Sequence, residues 1–129
     1  MHLNTLVIKA FQKKFCKRHK KIAIEGRDSA SKILNKNPRY DVAFYFKCNL
    51  SIASYRRWKD LKKFNKNISL KEVKKSLRTR NKLDTKRRFS ALKRVKDSVL
   101  IRTDILSKSA MVAKMSEEIE KKMLLKKYA

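Results

Sequence analysis

Glycine and proline are almost missing from this chain: Gly26 and Pro38 are the only ones. A phosphate-cradling Walker A loop takes two glycines and a dinucleotide fingerprint three, so neither lies within these residues. Cysteine is scarce as well. Cys16 and Cys48 are too few for a disulfide scaffold, and in a Lys-rich chain they fit a reduced, cytoplasmic setting. The two His and two Cys stand in no ligand spacing, so no metal site is expected. Acid is short too, with 11 Asp+Glu against 37 Lys+Arg and a net charge of +26. No apolar run approaches the ~18 residues of a membrane-spanning helix, so no membrane association is expected. The first 24 residues carry seven Lys/Arg and no acid, as a mitochondrial presequence does. They hold no Ser, and no Arg before Arg18, and their apolar spacing reads as a surface helix. No small-residue cleavage site follows Leu3–Phe11, which argues against a secretory signal.

What is present is 129 residues at 42% hydrophobic, enough for one domain with a core. Leu3, Leu6, Val7, Ala10, Phe11 and Phe15 recur at helical spacing, with lysines filling the other face, and predict a helix over 3–19. Ile22-Ala23-Ile24 reads as a buried strand ended by Gly26. Asn35–Tyr40, with the only Pro, reads as a loop. Val42–Cys48 is the clearest strand, apolar almost throughout, as a parallel strand covered on both faces would be. Ser51 is the expected cap of a helix to about Phe64. Ser69-Leu70-Lys71-Glu72 has the Ser-x-x-Glu spacing of a capping box, followed by Val73, Leu77 and Asn81 on one face. Residues 85–96 are basic without periodicity. Ser98–Thr103 reads as a third strand. A last helix, capped by Ser107 or Ser109, places Ala110, Met111, Met115, Ile119 and Met123 together. Strands separated by helices predict a parallel α/β sheet, here of three strands, which is small for that architecture.

Two charged constellations stand out. Ile24-Glu25-Gly26-Arg27-Asp28 places Arg27 and Asp28 just after an apolar strand, where open α/β sheets bind ligands. An Arg there can hold a phosphate and an Asp can accept from a base amino group; a loop ion pair at the surface is the other reading. Arg80, Asp84 and Arg87 follow at spacings of four and three, on one face of a helix. A carboxylate between two guanidiniums can clamp a phosphorylated polyol, or the three can be ordinary surface pairs. Arg56-Arg57, mid-helix before Trp58, could close over a polyphosphate as a lid or form a solvated basic face, with Tyr55 and Trp58 as core contacts. The positive charge is spread through every segment, 26 Lys and 11 Arg. It predicts solubility and salt-sensitive, non-specific polyanion binding.

Taken together and in order, these motifs resemble the C-terminal half of bacterial cytidylate kinase. The likeness runs from Lys21 to Met123, through Ile24–Asp28, Val42–Cys48, Ala53–Leu61, Ile68–Val73, Arg80–Leu92, Val99–Thr103 and Leu106-Ser107. It implies a partial P-loop nucleoside monophosphate kinase fold: a single incomplete domain over 1–129, a lid at about 52–68, and three parallel strands without the central P-loop strand. It implies phosphoryl transfer from ATP, with Mg2+, to CMP or dCMP. Asp28 would accept from the cytosine amino group and Arg27 would hold the acceptor phosphate. Arg80 and Asp84 would bind the sugar hydroxyls, Arg87 the CMP phosphate, and Arg56 and Arg57 the ATP phosphates. The sequence departs from the family at Ser90-Ala91-Leu92 for Ala-Pro-Leu and at Arg102-Thr103-Asp104 for Asp-Thr-Ser. It also has Ser29-Ala30 after the Gly-Arg-Asp. No counterpart of the family's earlier arginine precedes Arg18, and the P-loop half is absent.

The expectation is therefore a truncated, incompletely sequenced or split cytidylate kinase, inactive as this chain alone and completed, if split, by a separate P-loop chain. The chain alone is expected to be marginally stable, or to pair Ile22–Gly26 directly with Val42–Cys48. The alternative is a small basic nucleic-acid-binding or ribosome-associated protein. Kinase ancestry predicts Arg27, Arg80 and Arg87 converging beside Asp28 and Asp84. A nucleic-acid binder predicts a continuous basic stripe.

Overall fold

The computed structural model describes residues 2–86 and 91–128. The element order is α1 (His2–Arg18), a π-helical turn (Ser29–Ile33), β1 (Phe44–Lys47), α2 (Leu50–Lys62), α3 (Leu70–Lys86), β2 (Val99–Arg102) and α4 (Lys108–Tyr128). The chain divides into two compact units. One comprises Met1–Ala43 and Asp84–Ser98, the other Phe44–Leu83 and Val99–Ala129.

In the first unit, α1 runs where predicted. Cys16 is buried, and Lys9, Gln12 and Lys13 on the same side are half-buried. Leu6, Val7, Ile8, Phe11 and Phe15 are instead 45–66% exposed, so the apolar side of the helix faces out. The core here is Cys16, Ile33 and Leu34, with Ile24 and Tyr40 packed against it. Ile33 and Leu34 come from the π-helical turn, whose wide ring forms as Ile33 N–H bonds Asp28 O (3.4 Å) and Leu34 N–H bonds Ser29 O (2.8 Å). Ile22–Glu25 carries no strand, which corrects the expected buried strand. A strand exists through its ladder of hydrogen bonds to a neighbour, and this segment has no ladder among the described residues. Gly26 does mark its end, at φ +157° with Ser29 Oγ only 2.7 Å from where a Cβ would stand. Side chains rarely tolerate that backbone.

In the second unit, β1 and β2 pair in parallel, Phe44 opposite Val99 through Lys47 opposite Arg102. Two of the three expected strands therefore form the sheet, and direct pairing of Ile22–Gly26 with the Val42–Cys48 strand is not what the structure has. Parallel neighbours need a long crossover, supplied here by α2 and α3. Asn49, not Ser51, caps α2: its side chain accepts from Ser51 N–H at 2.9 Å. Asn is among the strongest N-caps. The box before α3 forms reciprocally, Ser69 N–H donating to Glu72 Oε2 (3.3 Å) and Glu72 N–H to Ser69 Oγ (3.1 Å). Ser107 caps α4, accepting from Ala110 N–H at 3.2 Å. Val73 and Ile101 are fully packed, but α4 buries none of its residues, and Ile119 and Met123 are exposed. No helix among the described residues is long and apolar enough to cross a membrane.

Candidate functional site

The loop after Gly26 and the end of α3 meet within the first unit. Arg27 Nε lies 3.1 Å from Asp84 Oδ2. Asp84 is 8% exposed, whereas the Arg27 side chain is 37% exposed, so the carboxylate is fixed inside and the guanidinium reaches it from the rim. Leu92 N–H also donates to Asp84 O at 2.9 Å. The expected Gly-Arg-Asp loop and the expected Arg-x-x-x-Asp helix are thus joined by one ion pair.

Asp28, beside Arg27, faces α1. Lys9 Nζ is 3.3 Å from its Oδ2. The sequence reading missed Lys9, because it assigned that side of the helix to solvent. The signal was its spacing from Cys16, two turns along the same face. Asp28 O accepts from Lys32 N–H at 2.8 Å, so the residue is held by the π-helical turn that follows it.

Arg80 is exposed on α3, one turn before Asp84. Arg87 lies outside the described residues. Arg56 and Arg57 belong to the second unit. Arg56 Nη1 donates to Thr103 O at 2.7 Å, tying α2 to the turn after β2, while Arg57 is exposed. The 52–68 stretch, expected as a lid, is tied together where Trp58 Nε1 donates to Ile68 O (3.0 Å) and Lys62 stands over the Trp58 ring at 4.4 Å.

The reversed charge at Arg102-Thr103-Asp104 is compensated locally. Arg102 grips Asp104 through Nε (3.0 Å) and Nη2 (2.7 Å), and Asn49 N–H donates to the same carboxylate at 3.1 Å. The Arg102 hydrogen bond, opposed by burial and helped by Asn49, pulls the Asp104 carboxyl down to about 2. A second cluster joins Arg39, Tyr40 and Asp97. Arg39 Nη2 is 3.0 Å from Asp97 Oδ2, and the Tyr40 hydroxyl donates to Asp97 Oδ1. Burial first, then that hydrogen bond, pushes the Tyr40 phenol up.

Comparison with known proteins bears on the same segments. The sequence profile of the cytidylate kinase family matches residues 5–121. Cytidylate kinase of Clostridium botulinum (strain Okra / Type B1) is 29% identical over 100 residues, covering 78% of this chain and 45% of the relative. That of Coxiella burnetii (strain RSA 493) is 30% identical over 114 residues, covering 88% and 46%. The bifunctional pantoate ligase/cytidylate kinase of Trichodesmium erythraeum is 39% identical over 87 residues, covering 67% and 16%. The chain spans a little under half the length of the two single-function relatives. With the profile covering nearly the whole sequence, and the Gly-Arg-Asp loop and the α3 motif lying inside the matched range, this chain belongs to the cytidylate kinase family.

Proposed function

We propose that these residues carry the CMP- or dCMP-binding side of a cytidylate kinase, and that the ATP-binding P-loop lies outside them, in further sequence or in a separate chain. The carrying observation is the Arg27–Asp84 ion pair. It brings two motifs from distant parts of the sequence to one place, as a nucleotide site requires and a uniformly basic surface does not. Arg27 presents a rim guanidinium to a phosphate ester, and fixed Asp84 offers its carboxylate to sugar hydroxyls. By the same sequence motif, Arg80 is assigned to the sugar hydroxyls and Arg87 to the CMP phosphate. Asp28 accepts from the base amino group. Arg56 and Arg57 serve the ATP phosphates from the lid.

In the reaction, the terminal P–O bond of ATP breaks as a bond forms to a CMP phosphate oxygen, leaving ADP and CDP. Such transfer asks the protein mainly for positioning and cations around the moving group. Mg2+ accompanies ATP in this chemistry. The described residues hold no group of three or more His, Cys, Asp or Glu placed to bind an ion, so no ligand in this chain is assigned to it. The 129 residues alone are proposed to be inactive, cytoplasmic, and able to bind CMP weakly.

Calorimetric titration with CMP tests this reading. Arg27→Ala and Asp84→Ala are expected to lower affinity at least tenfold. A wild-type affinity in both variants would overturn the site. A coupled assay on the chain alone is expected to show no CMP-dependent ADP formation, and turnover would overturn the inactivity.

A further inference from the structure

The first unit holds a second concave surface that the nucleotide reading does not use. A cavity of about 470 Å³ lies between the π-helical turn with the loop after it and the segment 93–96. Four cations line it, Lys32 on one wall and Lys93, Arg94 and Lys96 on the other, and no acid does. Arg27, Asp28 and Asp84 are not among its walls. The two walls are pinned to each other through Asp97. Arg39 Nη2 meets Asp97 Oδ2 at 3.0 Å, and the hydroxyl of Tyr40, which lines the cavity, donates to Asp97 Oδ1. Arg94 is held in turn by Ser98, donating from Nε to its Oγ and from Nη2 to its carbonyl, both at 3.3 Å. Ser98 itself is buried, so the place of the Arg94 charge is fixed.

A basic composition puts lysines on every surface. It does not supply a hollow whose walls are braced and whose charged lining is all of one sign. Such a cleft focuses the field and concentrates anions. The volume falls in the ~300–1,000 Å³ range of small-molecule sites and is too large for a lone phosphate. Four cations call for several negative charges close together. A guanidinium fork engages phosphate oxygens in pairs, and ammonium groups add point charges. We propose that this cavity binds a compact oligophosphate, a short linear run of phosphates, either free or as the tail of a nucleoside triphosphate. Its confined shape favours that ligand over a nucleic-acid strand, whose phosphates need a groove that tracks the backbone. The site uses neither the residues assigned to CMP nor Arg56 and Arg57, which belong to the other unit, and it stands independently of the reading above.

The test is calorimetric titration of the 129-residue chain with sodium triphosphate at one fixed ionic strength. Wild type is expected to bind it saturably. The double variant Lys93→Ala/Lys96→Ala is expected to bind about tenfold more weakly, and Lys32→Ala, on the facing wall, about threefold more weakly, as charge-assisted contacts are lost. A control, Lys71→Ala/Lys75→Ala, removes the same charge from exposed positions on α3 and is expected to stay within about twofold of wild type. Should the Lys93/Lys96 variant fail to fold by circular dichroism, Lys32→Ala decides. ATP in place of triphosphate separates the two sources. Equal affinity assigns the phosphate chain alone and tighter binding adds the nucleoside; both support the site. No saturable binding by wild type, or an equal loss in the α3 control, would overturn it. A single-stranded oligonucleotide that bound more tightly than triphosphate, through the same lysines, would overturn the compact ligand. Full competition by CMP would place the triphosphate in the nucleotide loop and overturn a separate cavity. Failure of CMP to bind, with triphosphate binding intact, would overturn the CMP reading and support this one.

Discussion

Asp84 and Asp104 show how differently two carboxylates can be committed. Asp84 is buried and meets Arg27 at 3.1 Å, so removing Arg27 takes a counter-charge from a desolvated carboxylate, while removing Asp84 frees a guanidinium that water can reach. Arg27→Ala is therefore expected to destabilise more than Asp84→Ala, by about 1–3 kcal/mol against about 1 kcal/mol. Urea titration of the two singles and the double variant checks this, and the cycle should show positive coupling. Asp104 is a pH element. Its folded carboxyl titrates at about 2, below the ordinary value of 3.8. A depressed acid stabilises the fold above its unfolded value, and that stabilisation fades as pH falls from about 4 to about 2. Asp104→Asn is expected to flatten the stability profile across that window, as read by urea midpoints from pH 2 to 7. Residue chemistry of this kind was partly legible. Arg27, Asp28 and Asp84 stood out by motif, but the partner of each is a matter of distance in space. Lys9 is the clearest case: its spacing puts it on the face of Cys16, but only the packing shows that this face meets Asp28.

At the scale of elements, local signals were read well and faces were not. The Ser69/Glu72 box formed as its spacing required, and Ser69→Ala is expected to cost about 1 kcal/mol by loss of the cap, measured by thermal denaturation. Helix α1 was legible as a helix because period and propensity are local properties. Which side faces the core is set by what packs on it. Here the π-helical turn delivers Ile33 and Leu34 to Cys16, and Phe11 and Phe15 are left outside. Ile33→Ala is accordingly expected to cost about 2–4 kcal/mol, and Phe11→Ala less than about 0.5 kcal/mol. Equal effects in a denaturant series would show that the helix packs the other way. The segment Ile22–Glu25 has strand composition but no ladder, since hydrogen-bond partners come from another part of the fold.

For the molecule as a whole, the buried apolar set among the described residues is small: Cys16, Ile33, Leu34, Ala43, Val73 and Ile101. The two-stranded sheet is four residues long on each side, and isolated two-stranded sheets are marginal in water. The isolated chain is expected to unfold with less than the ~5 kcal/mol at the low end for ordinary domains. Hydrogen exchange should show weak protection of β1 and β2, and strong protection in a soluble monomer would contradict this. The net charge of +26 gives a separate expectation: heparin retention that falls steeply with salt and is unchanged in Arg27→Ala, because it belongs to no single site.

The sequence by itself determined the helices, the Ser69/Glu72 capping box, the two paired strands and the family, because propensity, spacing and motif order are written along the chain. The tertiary structure alone decided that Arg27 meets Asp84, that Lys9 turns inward to Asp28, and that the apolar side of α1 faces out. Each of these depends on which groups from distant segments compete for the same buried space, and no local pattern records that competition.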